Sequence, residues 1–79
     1  MNIKDFVKVR KMLGMSQYDF AVKVGLSAGY IACLESGAKP FNKRLERKFL
    51  DALEMDEEEV QVLASLHDEL RRKRVGDAQ

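Results

Sequence analysis

The apolar positions of this chain recur at helical spacing from one end to the other, and no stretch shows the strict alternation of a half-buried strand. Ile3, Phe6, Val9 and Leu13 fall on one side of a first helix, which Asn2 can cap and Gly14 can end. Ser16, with Asp19 three residues on, makes a capping-box pattern for a second helix over about Gln17 to Val24 that stops at Gly25. Ser27 can cap a third over about Ala28 to Ser36, closed by Gly37. After the basic loop Lys39-Pro40-Phe41, Asn42 opens a fourth helix with Leu45, Phe49 and Leu53 on its inner face. Asp56 and Glu59 repeat the capping box and start a fifth helix reaching about Arg74. The pattern predicts an all-α fold, a compact five-helix domain over residues 1–75 with a frayed tail at 76–79.

The second and third helices are short, and only Gly25-Leu26-Ser27 joins them, so they must meet at a tight corner. Ala21 has to be small where the third helix crosses the second, and Gly25 supplies a positive φ at no steric cost. Val24, Ile31 and Leu34 are expected to fill the wedge between the two helices. The fifth helix is broader in its apolar face than one core requires. At about 100° per residue, Val60, Val62, Leu63, Ala64, Leu66, His67 and Leu70 sweep roughly 200°, against a stripe nearer 100° for a helix on a single core. The excess lies at Val62 and Leu66, which the pattern offers to a second subunit.

From Gly14 to Gly37 the chain reads G-M-S-Q-Y-D-F-A-V-K-V-G-L-S-A-G-Y-I-A-C-L-E-S-G. This segment resembles the lambda repressor-like helix-turn-helix family of the Cro/CI and Xre type. Its members commonly show G-x-S-Q-x-x-L-A-x-x-x-G-x-S-x-x-x-I-x-x-x-E-x-G. Phe20 departs from the usual leucine, where a bulky apolar residue suffices. Later helices match as well, so the likeness covers roughly residues 3 to 70.

The resemblance implies binding to double-stranded DNA, with the third helix entering a major groove. It makes Gln17 a phosphate contact that also braces the third helix, and pairs Arg10 with Glu35 as a structural tie between the first and third helices. Lys39, Asn42 and Lys43 correspond to a loop that touches the phosphate backbone. The positions that face the groove in the family are Ala28, Gly29, Ala32 and Cys33, of which Ala32 and Cys33 are expected to be exposed, with Ser27, Lys23 and Tyr30 as polar neighbours. Tyr30 has two readings, packing on the loop or hydrogen-bonding a phosphate. None of the four groove positions can make the bidentate base contact worth about 1–3 kcal/mol of discrimination. Readout must then lean on thymine methyl contact, the loop and DNA shape.

Charge sharpens this picture, although the net value is only +1. Up to Lys48 there are ten basic residues against four acidic ones, and from Phe49 onward four against nine. A basic half suits a polyanion, and an acidic half is repelled from one. A lone cysteine forms no internal disulfide, and nothing approaches a membrane span or signal peptide, so a cytoplasmic, nucleoid-associated protein is expected. No metal-ligand spacing, phosphate loop or nucleophile with a base is present, so the sequence calls for no cofactor and no catalysis. Two functions fit: a homodimeric repressor on an inverted repeat, and a helix-turn-helix that binds an antitoxin-like or antirepressor protein partner.

Overall fold

A computed structural model describes the backbone of residues 1–77 and the side chains of residues 1–72. Five helices follow one another: α1 (Ile3–Met12), α2 (Gln17–Val24), α3 (Ala28–Ser36), α4 (Lys43–Leu53) and α5 (Glu57–Asp77). Among the described residues there is no strand.

Short-range chemistry sets where these helices begin. The Asn2, Ser16, Ser27 and Asn42 side chains accept from the amides of Lys4, Asp19, Tyr30 and Leu45 at 2.8, 3.0, 3.1 and 2.9 Å. Each satisfies an amide that has no intrahelical partner, a contribution of about 1 kcal/mol. Reciprocal boxes close at Asn2 with Asp5, at Ser16 with Asp19, and at Asp56 with Glu59. The α2–α3 corner turns at Gly25, whose φ of 76° is the left-handed value that an L side chain disfavours. Glu54 takes a similar conformation after α4 with φ 55°, without the glycine that would ease it.

Helix ends depart from the sequence pattern at two places. Leu13 forms the C-cap of α1 and is 46% exposed, so it leaves the apolar face assigned to it. Once the backbone leaves helical geometry, the 100° periodicity no longer says where a side chain points. α5 continues to Asp77 instead of stopping near Arg74, because no proline or earlier glycine interrupts its run of good helix formers. Of the tail expected to fray, residues 78–79 lie outside the described residues.

The core is built from one face of each helix: Phe6 and Val9 of α1, Phe20, Ala21 and Val24 of α2, Ile31 and Leu34 of α3, Leu45 and Phe49 of α4, and Val60 of α5. Phe49 sits edge-on to both Phe6 and Phe20, with centroids 5.3 and 5.2 Å apart, and Phe41 completes the cluster at 5.4 Å from Phe49. Such offset and edge contacts add about 0.5–1.5 kcal/mol to area burial. Phe49→Ala would empty the middle of this cluster at a cost of about 3–5 kcal/mol. Phe41, which periodicity leaves in a loop, thereby anchors the chain between α3 and α4. Glu46 is also buried, with the Met1 amino group 3.6 Å from its Oε1.

α5 lies along α1, with Val60 and Ala64 buried and Leu63 and His67 half-buried. Lys8 of α1 reaches Asp68 of α5 with Nζ 2.8 Å from Oδ2. That contact, with a smaller one from His67, holds the Asp68 carboxyl below its ordinary pKa, against partial desolvation.

Candidate nucleic-acid interface

α3 is held in place by its inner residues and by one polar network. Ile31 and Leu34 are essentially buried, and Ala21 is buried opposite them on α2. At the far end of α3, the Glu35 carboxylate receives both Arg10 Nε and Nη2 at 2.9 Å, a bidentate pair across 25 residues of sequence. Arg10 Nη1 donates to the Met15 carbonyl at 2.9 Å, so one guanidinium ties α1, the α1–α2 turn and α3 together. Gln17 Nε2 donates to Glu35 Oε1 at 3.0 Å, adding the start of α2 to the same carboxylate. The Arg10 and Glu35 side chains are only 11% and 12% exposed. A charge so far removed from water requires its partner, which makes this network structural first.

These bonds also fix what remains free. Gln17 is exposed and keeps its carbonyl and one amide hydrogen for an outside acceptor or donor. Ser27 and Asn42 spend an oxygen on capping but retain donors, the hydroxyl and the amide respectively. Lys39 and Lys43 are exposed, as are Arg44, Arg47 and Lys48, and the one acid among them, Glu46, is buried. The chain leaving α3 folds back on it, and the Lys39 amide donates to the Cys33 carbonyl at 3.1 Å. The Gln17 side chain and the Lys39 backbone amide are thus bonded to the C-terminal half of α3, one from the start of α2 and one from the α3–α4 loop.

That outer face is smaller and more covered than the sequence suggests. Gly29 is exposed and Ala28 half-buried, and Ala32 and Cys33 are half-buried where exposure was expected. Ala28 packs against the core, and the chain after α3 turns back to bond the Cys33 carbonyl. Tyr30 is half-buried and packs partly against the core. Lys23 and Ser27 are exposed.

Sequence reasoning missed the Met15 carbonyl, the Lys8–Asp68 pair and the burial of Glu46. Only the first had a local signal, since the sequence already placed Arg10 beside the α1–α2 turn. Among the described residues, no group of His, Cys, Asp and Glu is placed to hold a metal ion, and no helix is long and apolar enough to cross a membrane.

A short second helix, a left-handed glycine at the corner and a third helix wedged outward define a helix-turn-helix, the class of fold that presents one helix to a DNA groove. The comparison with known families agrees: the sequence model described as helix-turn-helix matches residues 7–60, more than half of the chain. The chain belongs to this lambda repressor-like, Cro/CI-type family, a family of DNA-binding regulators. No curated protein and no solved structure matched the chain.

Proposed function

We propose that the chain is a transcriptional repressor that binds an inverted-repeat operator in double-stranded DNA as a homodimer. The observation that carries this reading is the pair of bonds that tie the Gln17 side chain and the Lys39 backbone to α3, with exposed cations at Lys39 and in the chain that follows it. In this reading Gln17, Tyr30, Lys39, Asn42 and Lys43 contact phosphates, and Ser27, Ala28, Gly29, Ala32 and Cys33 face the groove. Phosphate contacts fix register, and the small groove face leaves selectivity to methyl contact and DNA deformability.

One domain spans too little DNA for tight selective binding, and two copies on a dyad place their α3 helices about 34–36 Å apart in successive major grooves. Val62 and Leu66, 59% and 42% exposed on the flank of α5, are the apolar residues left for pairing. Their burial would contribute about 1.5–3 kcal/mol per side chain before the entropy of association is subtracted. Leu66→Glu is expected to give a folded monomer with much weaker DNA affinity.

A titration of DNA across salt concentration tests the whole reading. Binding should fall steeply with salt, and Lys39→Ala and Lys43→Ala should each flatten the logarithmic slope by about one unit. A chain that fails to bind DNA even at low salt would refute it. The half-buried, side-chain-poor face of α3 favours a second reading, a helix-turn-helix that recognises a protein partner of antitoxin or antirepressor type. That reading predicts weak, sequence-indifferent DNA binding.

A further inference from the structure

The cations that follow the α3–α4 loop gather on one face of α4. At about 100° per residue, Lys43, Arg44, Arg47 and Lys48 lie within an arc of about 140°, and the buried Leu45, Glu46 and Phe49 lie opposite it. All of these cations are exposed, and no described residue comes within ion-pair distance of any of them. The acid inside the run, Glu46, is buried and has the Met1 amino group 3.6 Å from its Oε1. The face changes sign at the far end of the helix, where exposed Asp51 and Glu54 lead into the acidic first turn of α5.

From this arrangement we infer that the N-terminal half of α4 is a second phosphate-binding surface, on which Arg44, Arg47 and Lys48 hold the DNA backbone whatever its sequence. The inference rests on the DNA-binding function proposed above and extends its phosphate contacts beyond Lys43. Lys43 with Arg47, and Arg44 with Lys48, are each four residues apart, a spacing at which like charges destabilise a helix. A polyanion relieves that repulsion. An acidic protein would relieve it too, but the face runs on without a break from the loop whose Lys39, Asn42 and Lys43 are assigned to phosphates, which favours DNA. The spacing also suits a nucleic acid. Four residues advance α4 by about 6 Å, and one DNA strand carries a charge about every 3.4 Å along the axis, so cations one turn apart meet different phosphates. Asp51 and Glu54 set the limit of the surface, because carboxylates repel phosphates within a Debye length of about 8–10 Å. The duplex must therefore cross the start of α4 and not its end. With so few base contacts available on α3, affinity has to come largely from such sequence-indifferent contacts.

Fluorescence anisotropy of a random-sequence duplex, titrated with the full chain across salt concentration, counts these contacts. Arg44→Ala, Arg47→Ala and Lys48→Ala should each flatten the logarithmic salt slope by about 0.9, the value of one phosphate on duplex DNA. Between about 50 and 200 mM salt the triple variant should then lose about 40-fold less affinity than the wild type does. Arg72→Ala removes an exposed cation from α5 and controls for net charge; its slope should match the wild type. Circular dichroism confirms that each variant keeps its helices, as substitution at exposed positions predicts. Wild-type slopes in the three α4 variants would overturn the surface. An equal flattening by Arg72→Ala would overturn it as well, by making the effect one of overall charge. The function and the surface fail distinguishably. If Lys39→Ala and Lys43→Ala flatten the slope while the α4 variants do not, DNA binding stands and only the surface falls, leaving this face to an acidic protein. A wild-type chain that ignores the duplex at low salt defeats the DNA-binding function and the surface with it.

Discussion

Glu35→Ala leaves the Arg10 guanidinium among α1, the α1–α2 turn and α3 with no counter-charge. Arg10 is 9% exposed, and two of its three hydrogen bonds end on this one carboxylate. Removing one partner of a buried pair costs about 3–5 kcal/mol, and screening recovers little at an exposure of 11–12%. A chain of 79 residues has only about 4–12 kcal/mol of stability to lose, so this variant should sit close to unfolding. Glu35→Gln keeps an acceptor for one Arg10 bond and removes the charge; about 2–3 kcal/mol is expected. The double variant Arg10→Met with Glu35→Leu should cost less than the two single losses summed, with a coupling of roughly 1–3 kcal/mol. Urea unfolding followed by circular dichroism measures all of these on one scale. A loss below about 1 kcal/mol for Glu35→Ala, which is the range of surface pairs, would refute the reasoning.

Three further outcomes follow from the same geometry. Gln17→Ala should weaken DNA binding about equally on all sequences and cost no more than about 1 kcal/mol of stability, since its bond to Glu35 is exposed; gel shifts on several duplexes check the first part, and a sequence-dependent loss would contradict it. Ala28→Glu should abolish DNA binding by setting a carboxylate near phosphates, and unchanged affinity in a filter-binding assay would mean that α3 does not face DNA. Asp68 has a lowered carboxyl pKa, so its contribution to α5 docking is fully present above the ordinary carboxylate range and is lost as pH falls through the lowered value. Thermal melts of the wild type should therefore lose stability in acid relative to Lys8→Met, which lacks the ammonium that bonds the Asp68 carboxylate; parallel pH profiles would exclude this pair.

The sequence made some of this architecture legible because the determinants are local. Ser16 with Asp19, Ser27 and Asn42 act over three residues, and each cap sits where the residue pattern places it. The inward residues of α2 and α3 followed from periodicity joined to a corner too short for any other arrangement. What stayed hidden depends on contacts across the chain. Phe41 carries no periodicity in a loop, yet it joins the aromatic cluster because the chain folds it onto Phe6 and Phe49. Lys8 and Asp68 are separated by 60 positions, and nothing in either neighbourhood names the other. Ala32 and Cys33 are half-buried, which a helical wheel of α3 taken alone does not show.

Gly29 gives the outer face of α3 a practical meaning for retargeting. A glycine inside a helix lowers stability by roughly 0.5–1 kcal/mol relative to alanine. Nothing in the fold repays that loss, because a methyl group built at Gly29 meets no atom within 4 Å. Position 29 therefore accepts an added Cβ without disturbing the protein beneath it, and good helix formers there would make α3 more robust. A library randomised at this one codon would begin from a sturdier scaffold than the parent and could carry arginine, asparagine or glutamine, the side chains best suited to read a base edge. The same glycine that leaves the native protein poor in base contacts makes it a convenient platform for acquiring new ones.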